Sequence, residues 1–190
     1  MTIKRVWLAI PILLYPYFAL LTLVTIFLST KSTFFNWIME FIFHSNALYL
    51  IVAFFIYCLL VAILSAVCFI ISIYKKWDAF SLAKLYMIIK LLQIPAYVLI
   101  FILGGLFSIT IFTIPFSIAL ILIDCISLFL TGLGVISAVI NTIRQDVFEA
   151  KEVIWVIIAQ FFFCIDVVAS IILYIKLKKA TTELKFHQRT

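Results

Sequence analysis

Residues 94–141 read IPAYVLIFILGGLFSITIFTIPFSIALILIDCISLFLTGLGVISAVIN, and Asp124 is their one ionisable side chain. A bilayer's hydrocarbon core is about 30 Å thick and takes roughly 20 helical residues at 1.5 Å each. One straight helix of this length would reach about 70 Å, so the chain must turn back or bury its surplus. Pro115 lies near the middle, in TIPFS, and the halves Ile94–Thr113 and Phe116–Asn141 are each long enough to cross once. The leading expectation is two spans joined by a tight turn at Ile114–Ser117.

Composition points the same way. The 190 residues are 67% hydrophobic and 12% charged, with a mean hydropathy of +1.34. A soluble domain is about 25% charged and about half apolar, so this is a membrane protein and the lipid bilayer is its first partner. The net charge of +6 comes from lysines and arginines beside apolar spans. There they set orientation and meet anionic headgroups, and they are no signal for nucleic acid. Cys58, Cys68, Cys125 and Cys164 lie in apolar segments without CxxC spacing, as small packing residues would.

Working outward, Val6–Leu28 is a first span with Pro11 and Pro16 inside it, kinked, with neighbouring helices covering the freed carbonyls. Its basic start, Lys4 and Arg5, resembles a signal peptide, but the apolar run is too long and no small-x-small site follows, so it reads as uncleaved. In Ser29–Asn46, FFNWIMEFIF reads as a short interfacial helix anchored by Trp37. Span two is Ala47–Tyr74, whose Cys58, Ala62, Ser65 and Ser72 form a small-residue face. After Lys75–Asp78 comes Ala79–Gln93, an amphipathic interfacial helix with Lys84 and Lys90 snorkelling to headgroups. Beyond the polar connection Arg144–Glu152, Val153–Ile175 is the last span, framed by Trp155 and Tyr174 and followed by the basic tail Lys176–Thr190.

The expected fold is thus an all-α transmembrane helical bundle, one domain over residues 1–190. Its five spans lie near 6–28, 47–74, 94–113, 116–141 and 153–175, with an interfacial helix at 79–93. The alternative is four spans plus a re-entrant hairpin within Ile94–Asn141. It obeys the positive-inside rule better, because all three basic segments then share one side. Span length, close to a geometric constraint, favours five.

The runs KWDAFSLAKLYMIIKLLQIPAYVLIFILGG, TIFTIPFSIALILIDC, LTGLGVISAVI and QFFFCIDVVASI resemble a functionally uncharacterised family of small bacterial integral membrane proteins. The resemblance covers most of the chain after span one. It implies a bacterial inner-membrane protein and brings no activity or site with it.

Asp124 and Asp166 lie inside apolar spans, where a carboxylate costs on the order of 3 kcal/mol on insertion scales. Ser127, Thr131, Gly134, Ala138 and Asn141 follow Asp124 at steps of three and four, a polar and small-residue face that wants a helix against it. Asp166 shares an arc with Ala159, Ala169 and Ser170. Counting inward from Arg144–Glu152 puts the two aspartates at similar depth, close enough to share a site and a proton, with Gln160, Ser127 and Thr131 as polar neighbours. No basic residue is expected at that depth, so the leading reading of the two is protonated carboxyls acting as interhelical hydrogen-bond glue, inside this protein or against a partner subunit. Gly104, Gly105, Gly132 and Gly134 read as points of close helix packing.

Enzyme motifs are absent: His44 and His187 form no HxxxH or HExxH pair, and no GxSxG elbow occurs. No cofactor or metal is implied. The leading expectation is a non-enzymatic accessory, assembly or immunity-type subunit acting through helix packing with a membrane-protein partner, whereas a homo-oligomer or a water-filled cavity is what the alternative would need. The alternative is a small proton- or cation-coupled transporter or channel using Asp124 and Asp166.

Overall fold

The computed structural model describes residues 3–29 and 31–187. The side chains of Lys4, Arg5, Lys185 and His187, and all of Arg189, lie outside the described residues. Seven α-helices follow one another: α1 (Ile3–Leu28), α2 (Thr33–Phe43), α3 (Ala47–Tyr74), α4 (Ala79–Phe107), α5 (Ile114–Arg144), α6 (Ala150–Ala159) and α7 (Ile165–His187). No strand occurs among the described residues, so the chain is an all-α bundle. Four helices, α1, α3, α4 and α5, are long and apolar enough to cross a membrane.

The decisive stretch does turn back on itself, but the turn falls earlier than expected. It occupies Ser108–Thr113, including one 3₁₀ turn at Ile111–Thr113, and Pro115 sits in the first turn of α5. Proline lacks an N–H, and a helix's first turn is where that donor is not needed. Residues 79–93 correct a second expectation. They are the first half of the unbroken α4, and Leu82, Ala83, Leu85, Tyr86, Ile89, Lys90 and Gln93 are buried there.

For one proline of α1 the expected cover is present. Pro16 has no N–H for the Ile12 carbonyl, and Gln93 Nε2 of α4 donates to that carbonyl instead at 2.8 Å. Tyr57 of α3 donates to the Pro11 carbonyl at 2.9 Å. The short helix α2 buries Met39 and keeps Trp37 exposed, stacked on Phe41 at 5.3 Å.

The largest departure is the last apolar segment. In place of one span, α6 runs for ten residues, about 15 Å, and breaks at Gln160–Cys164. Cys164 adopts a left-handed φ of 66°. Short-range bonds from Phe161 N to Ile158 O and from Phe162 N to Ala159 O, both 3.2 Å, pair the backbone where the turn begins. At membrane depth such pairing is obligatory. Helix α7 then runs back antiparallel to α4: Asp166 pairs with Lys90, and Tyr174 stacks on Phe80 at 5.5 Å. The α6–α7 pair is thus a helical hairpin, so the described residues hold four helices long enough to cross and a hairpin that lies in the last segment and not within residues 94–141.

All elements that meet at one end of the bundle are tied together there. Asn141 Nδ2 donates to Ser72 O at 3.0 Å, Arg144 to Ile73 O at 3.1 Å and Gln145 Nε2 to Trp77 O at 3.0 Å. A cluster of Leu82, Tyr86, Val135, Val139, Val153, Val156, Leu173 and Leu177 seals this end between α4, α5, α6 and α7. Impermeant thiol labelling of single cysteines, in a background lacking the four native ones, checks the topology. Residues 146 and 179 should label from one side and residue 110 from the other. Five crossings would pair 179 with 110.

Candidate intramembrane polar site

The side chains singled out from the sequence fall into two places and not one. In the first, Lys90 and Asp166 form an ion pair, with side chains 0% and 1% exposed. Ser170 donates to the Asp166 carbonyl at 2.7 Å. This corrects the expectation that no basic residue lies at Asp166's depth, and it corrects Lys90's place at the headgroups. Taking two charges out of water is costly, and mutual pairing with further hydrogen bonds offsets that cost. The periodicity carried a signal for this. Lys84 and Lys90 are six residues apart, which puts them about 120° apart around a helix. They cannot share one polar face, and the structure leaves Lys84 exposed while burying Lys90.

Next to the pair a hydrogen-bond chain links three helices. Ser127 Oγ of α5 lies 2.9 Å from Tyr97 Oη of α4. Tyr97 donates to Gln93 Oε1 at 3.0 Å, and Gln93 donates to Ile12 O of α1. Thr131, fully buried, donates to the Ser127 carbonyl at 2.9 Å. Tyr97 stands within electrostatic range of both Asp166 and Asp124. A cavity of about 360 Å³ between Ile94, Val98, Phe101, Phe163 and Val167 reaches Asp166 from the lipid-facing side.

Asp124 belongs to the second place. It is half-buried, about 15 Å along α5 from Ile114. Its Oδ1 is buried and has no hydrogen-bond partner. It lines a groove of about 250 Å³ between α4 and α5 with Gly104, Gly105, Ser108 and Ser117. The two aspartates therefore form no shared dyad: Asp166 has a cation, and Asp124 has an open groove.

The rest of the Asp124 stripe faces inward, with Ser127, Thr131, Gly134, Ala138 and Asn141 all buried. The helix it wanted is supplied by the chain itself. Gly132 lies against α6, where an added Cβ would come 3.5 Å from Gln160 Cβ. At Gly134 the Tyr86 ring passes so close that a Cβ would fall 1.9 Å from Cζ. Gly104 and Gly105 differ. A Cβ on either meets nothing within 4 Å, so they floor the groove and make no close helix contact. Gln160 is buried at the end of α6, donating to Val156 O at 3.2 Å, with Oε1 unpartnered. Among the described residues no three His, Cys, Asp or Glu side chains gather where a metal ion could sit.

No family model, curated protein or solved structure matches the chain.

Proposed function

We propose that this is a small multi-pass protein of the bacterial inner membrane that works without catalysis, as an accessory, assembly or immunity-type subunit acting through intramembrane helix packing. One observation carries the reading. The Lys90–Asp166 pair and the Ser127–Tyr97–Gln93 chain are spent on one another, while Asp124, whose Oδ1 has no hydrogen-bond partner, lines the groove between α4 and α5. A carrier built on paired carboxylates needs a site that exchanges its cation, and Asp166 already holds Lys90 as a permanent one. This counts against the proton- or cation-coupled alternative.

Orientation follows the same logic. Lys75, Lys76, Lys84, Arg144, Lys151, Lys176, Lys178 and Lys179 gather at the end of the bundle where α4 begins and α7 finishes, while Lys31 sits at the other. Basic residues are retained on the cytoplasmic side, which supports a cytoplasmic place for this end. The resemblance to small bacterial membrane proteins supports the same membrane. Purification from the native host in mild detergent, followed by intact-complex mass measurement, tests the reading. A stoichiometric foreign subunit is expected; a lone monomer or a homo-oligomer overturns it.

A further inference from the structure

The groove beside Asp124 has a built shape. From α4 come Ile100, Phe101, Gly104, Gly105 and Ser108, and from α5 come Ser117, Leu120, Ile121 and Asp124, one face of each helix. The glycines leave the floor open, because a Cβ on either would meet nothing within 4 Å. The serines face each other, Ser108 Oγ lying 2.9 Å from Ser117 Oγ, and Ser117 also donates to the Gly104 carbonyl. Asp124 is the one carboxyl among them, and its Oδ1 has no hydrogen-bond partner. About 15 Å from the start of α5, it lies near the middle of a core about 30 Å thick. A carboxyl at that depth faces hydrocarbon unless a partner supplies a cation or a donor.

Within this bundle the same problem is solved once already, by placing Lys90 on Asp166. Among the described residues Asp124 has no such neighbour. A second copy in the same orientation supplies none either. Among the described residues the free cation nearest the groove along α4 is Lys84, 16 residues and about 24 Å from Ile100. A symmetric dimer through this groove would bring two aspartates together. Charge complementarity and the open glycine floor, which admits close helix approach, select a different occupant.

We propose that the α4–α5 groove docks a transmembrane helix of another protein, and that a lysine or arginine on that helix pairs with Asp124. The proposal rests on the accessory-subunit reading and names the chemistry of its partner. Ser108 and Ser117 flank the entering backbone, and Gly104 and Gly105 set the distance of approach. The partner's cation must lie near its own midpoint, which is a rare position for a charge and therefore a specific address.

The test uses the full chain in liposomes with a labelled 21-residue polyleucine helix carrying lysine at its centre, against the same helix without it. Energy transfer reports binding. The lysine helix should bind about tenfold tighter, the size expected of an intramembrane polar contact. Asp124→Leu should erase the preference. Gly105→Leu should weaken both helices by filling the floor, and the space above that glycine lets this variant keep its fold. Unchanged circular dichroism and an unchanged SDS unfolding midpoint verify that both variants fold. Equal binding of the two helices, or a preference that survives Asp124→Leu, overturns the proposal. So does energy transfer between two labelled copies of the chain that vanishes in Asp124→Leu, because the groove would then belong to a second copy. A foreign subunit that co-purifies equally with wild type and Asp124→Leu removes this site while leaving the accessory reading intact.

Discussion

Replacing Lys90 by Met while Asp166 remains should destabilise the bundle by about 3–5 kcal/mol, the cost typical of stranding one charge of a buried pair. Met conserves the volume of the lysine stem, so the loss reports the charge and not a cavity. The double variant Lys90→Met/Asp166→Leu should recover most of it, because desolvation is then removed from both sides. The pair closes the contact between α4 and the helical hairpin, so the single variant should also loosen α7. SDS titration in mixed micelles reads the stability, and proteolysis near Cys164 reads the hairpin. Single and double variants of equal stability would show that the pair holds nothing.

A second large effect is expected at Gly134. A Cβ there would stand 1.9 to 2.3 Å from three atoms of the Tyr86 ring, which is itself only 4% exposed. The ring cannot swing aside, because Leu82, Val135 and Val139 belong to the same packed cluster. Gly134→Ala should therefore cost about 3 kcal/mol, at the upper end for overpacking. Tyr86→Val alone should also destabilise, by leaving a cavity. On that background Gly134→Ala should cost nothing, and the double-mutant cycle should return a coupling near the full penalty. Gly105→Ala is the contrast. It adds a methyl where nothing lies within 4 Å and exchanges glycine for a better helix former, so no loss is expected. Equal effects at positions 105 and 134 would contradict the packing described.

The helical bundle was legible because hydropathy and length are properties of each segment alone. The turn within residues 94–141, the amphipathic α2 and the inward stripe of α5 follow from periodicity. The covered Ile12 carbonyl follows from Pro16. What was not legible depends on contacts between distant segments. The break at Gln160–Cys164 contains neither glycine nor proline, and its apolar letters read as an uninterrupted span. The clue lay elsewhere, in the basic tail, whose charge asked for the same side as Lys75 and Lys76. Lys90 was misread because an isolated amphipathic helix and the first half of a long buried one share the same letters. Only Asp166, 76 residues away, distinguishes them. Gly104 and Gly105 show the converse: paired glycines mark close approach in general, and here they mark room for it.

The separation of Lys90 and Asp166 along the chain also orders events in time. Synthesis proceeds from the N-terminus at about 5–20 residues per second, so Lys90 enters the membrane some 4–15 s before its counter-charge exists. During that interval nothing neutralises it, and its long stem favours the interface. The ion pair therefore forms only once the hairpin that carries Asp166 has followed α4 into the bundle.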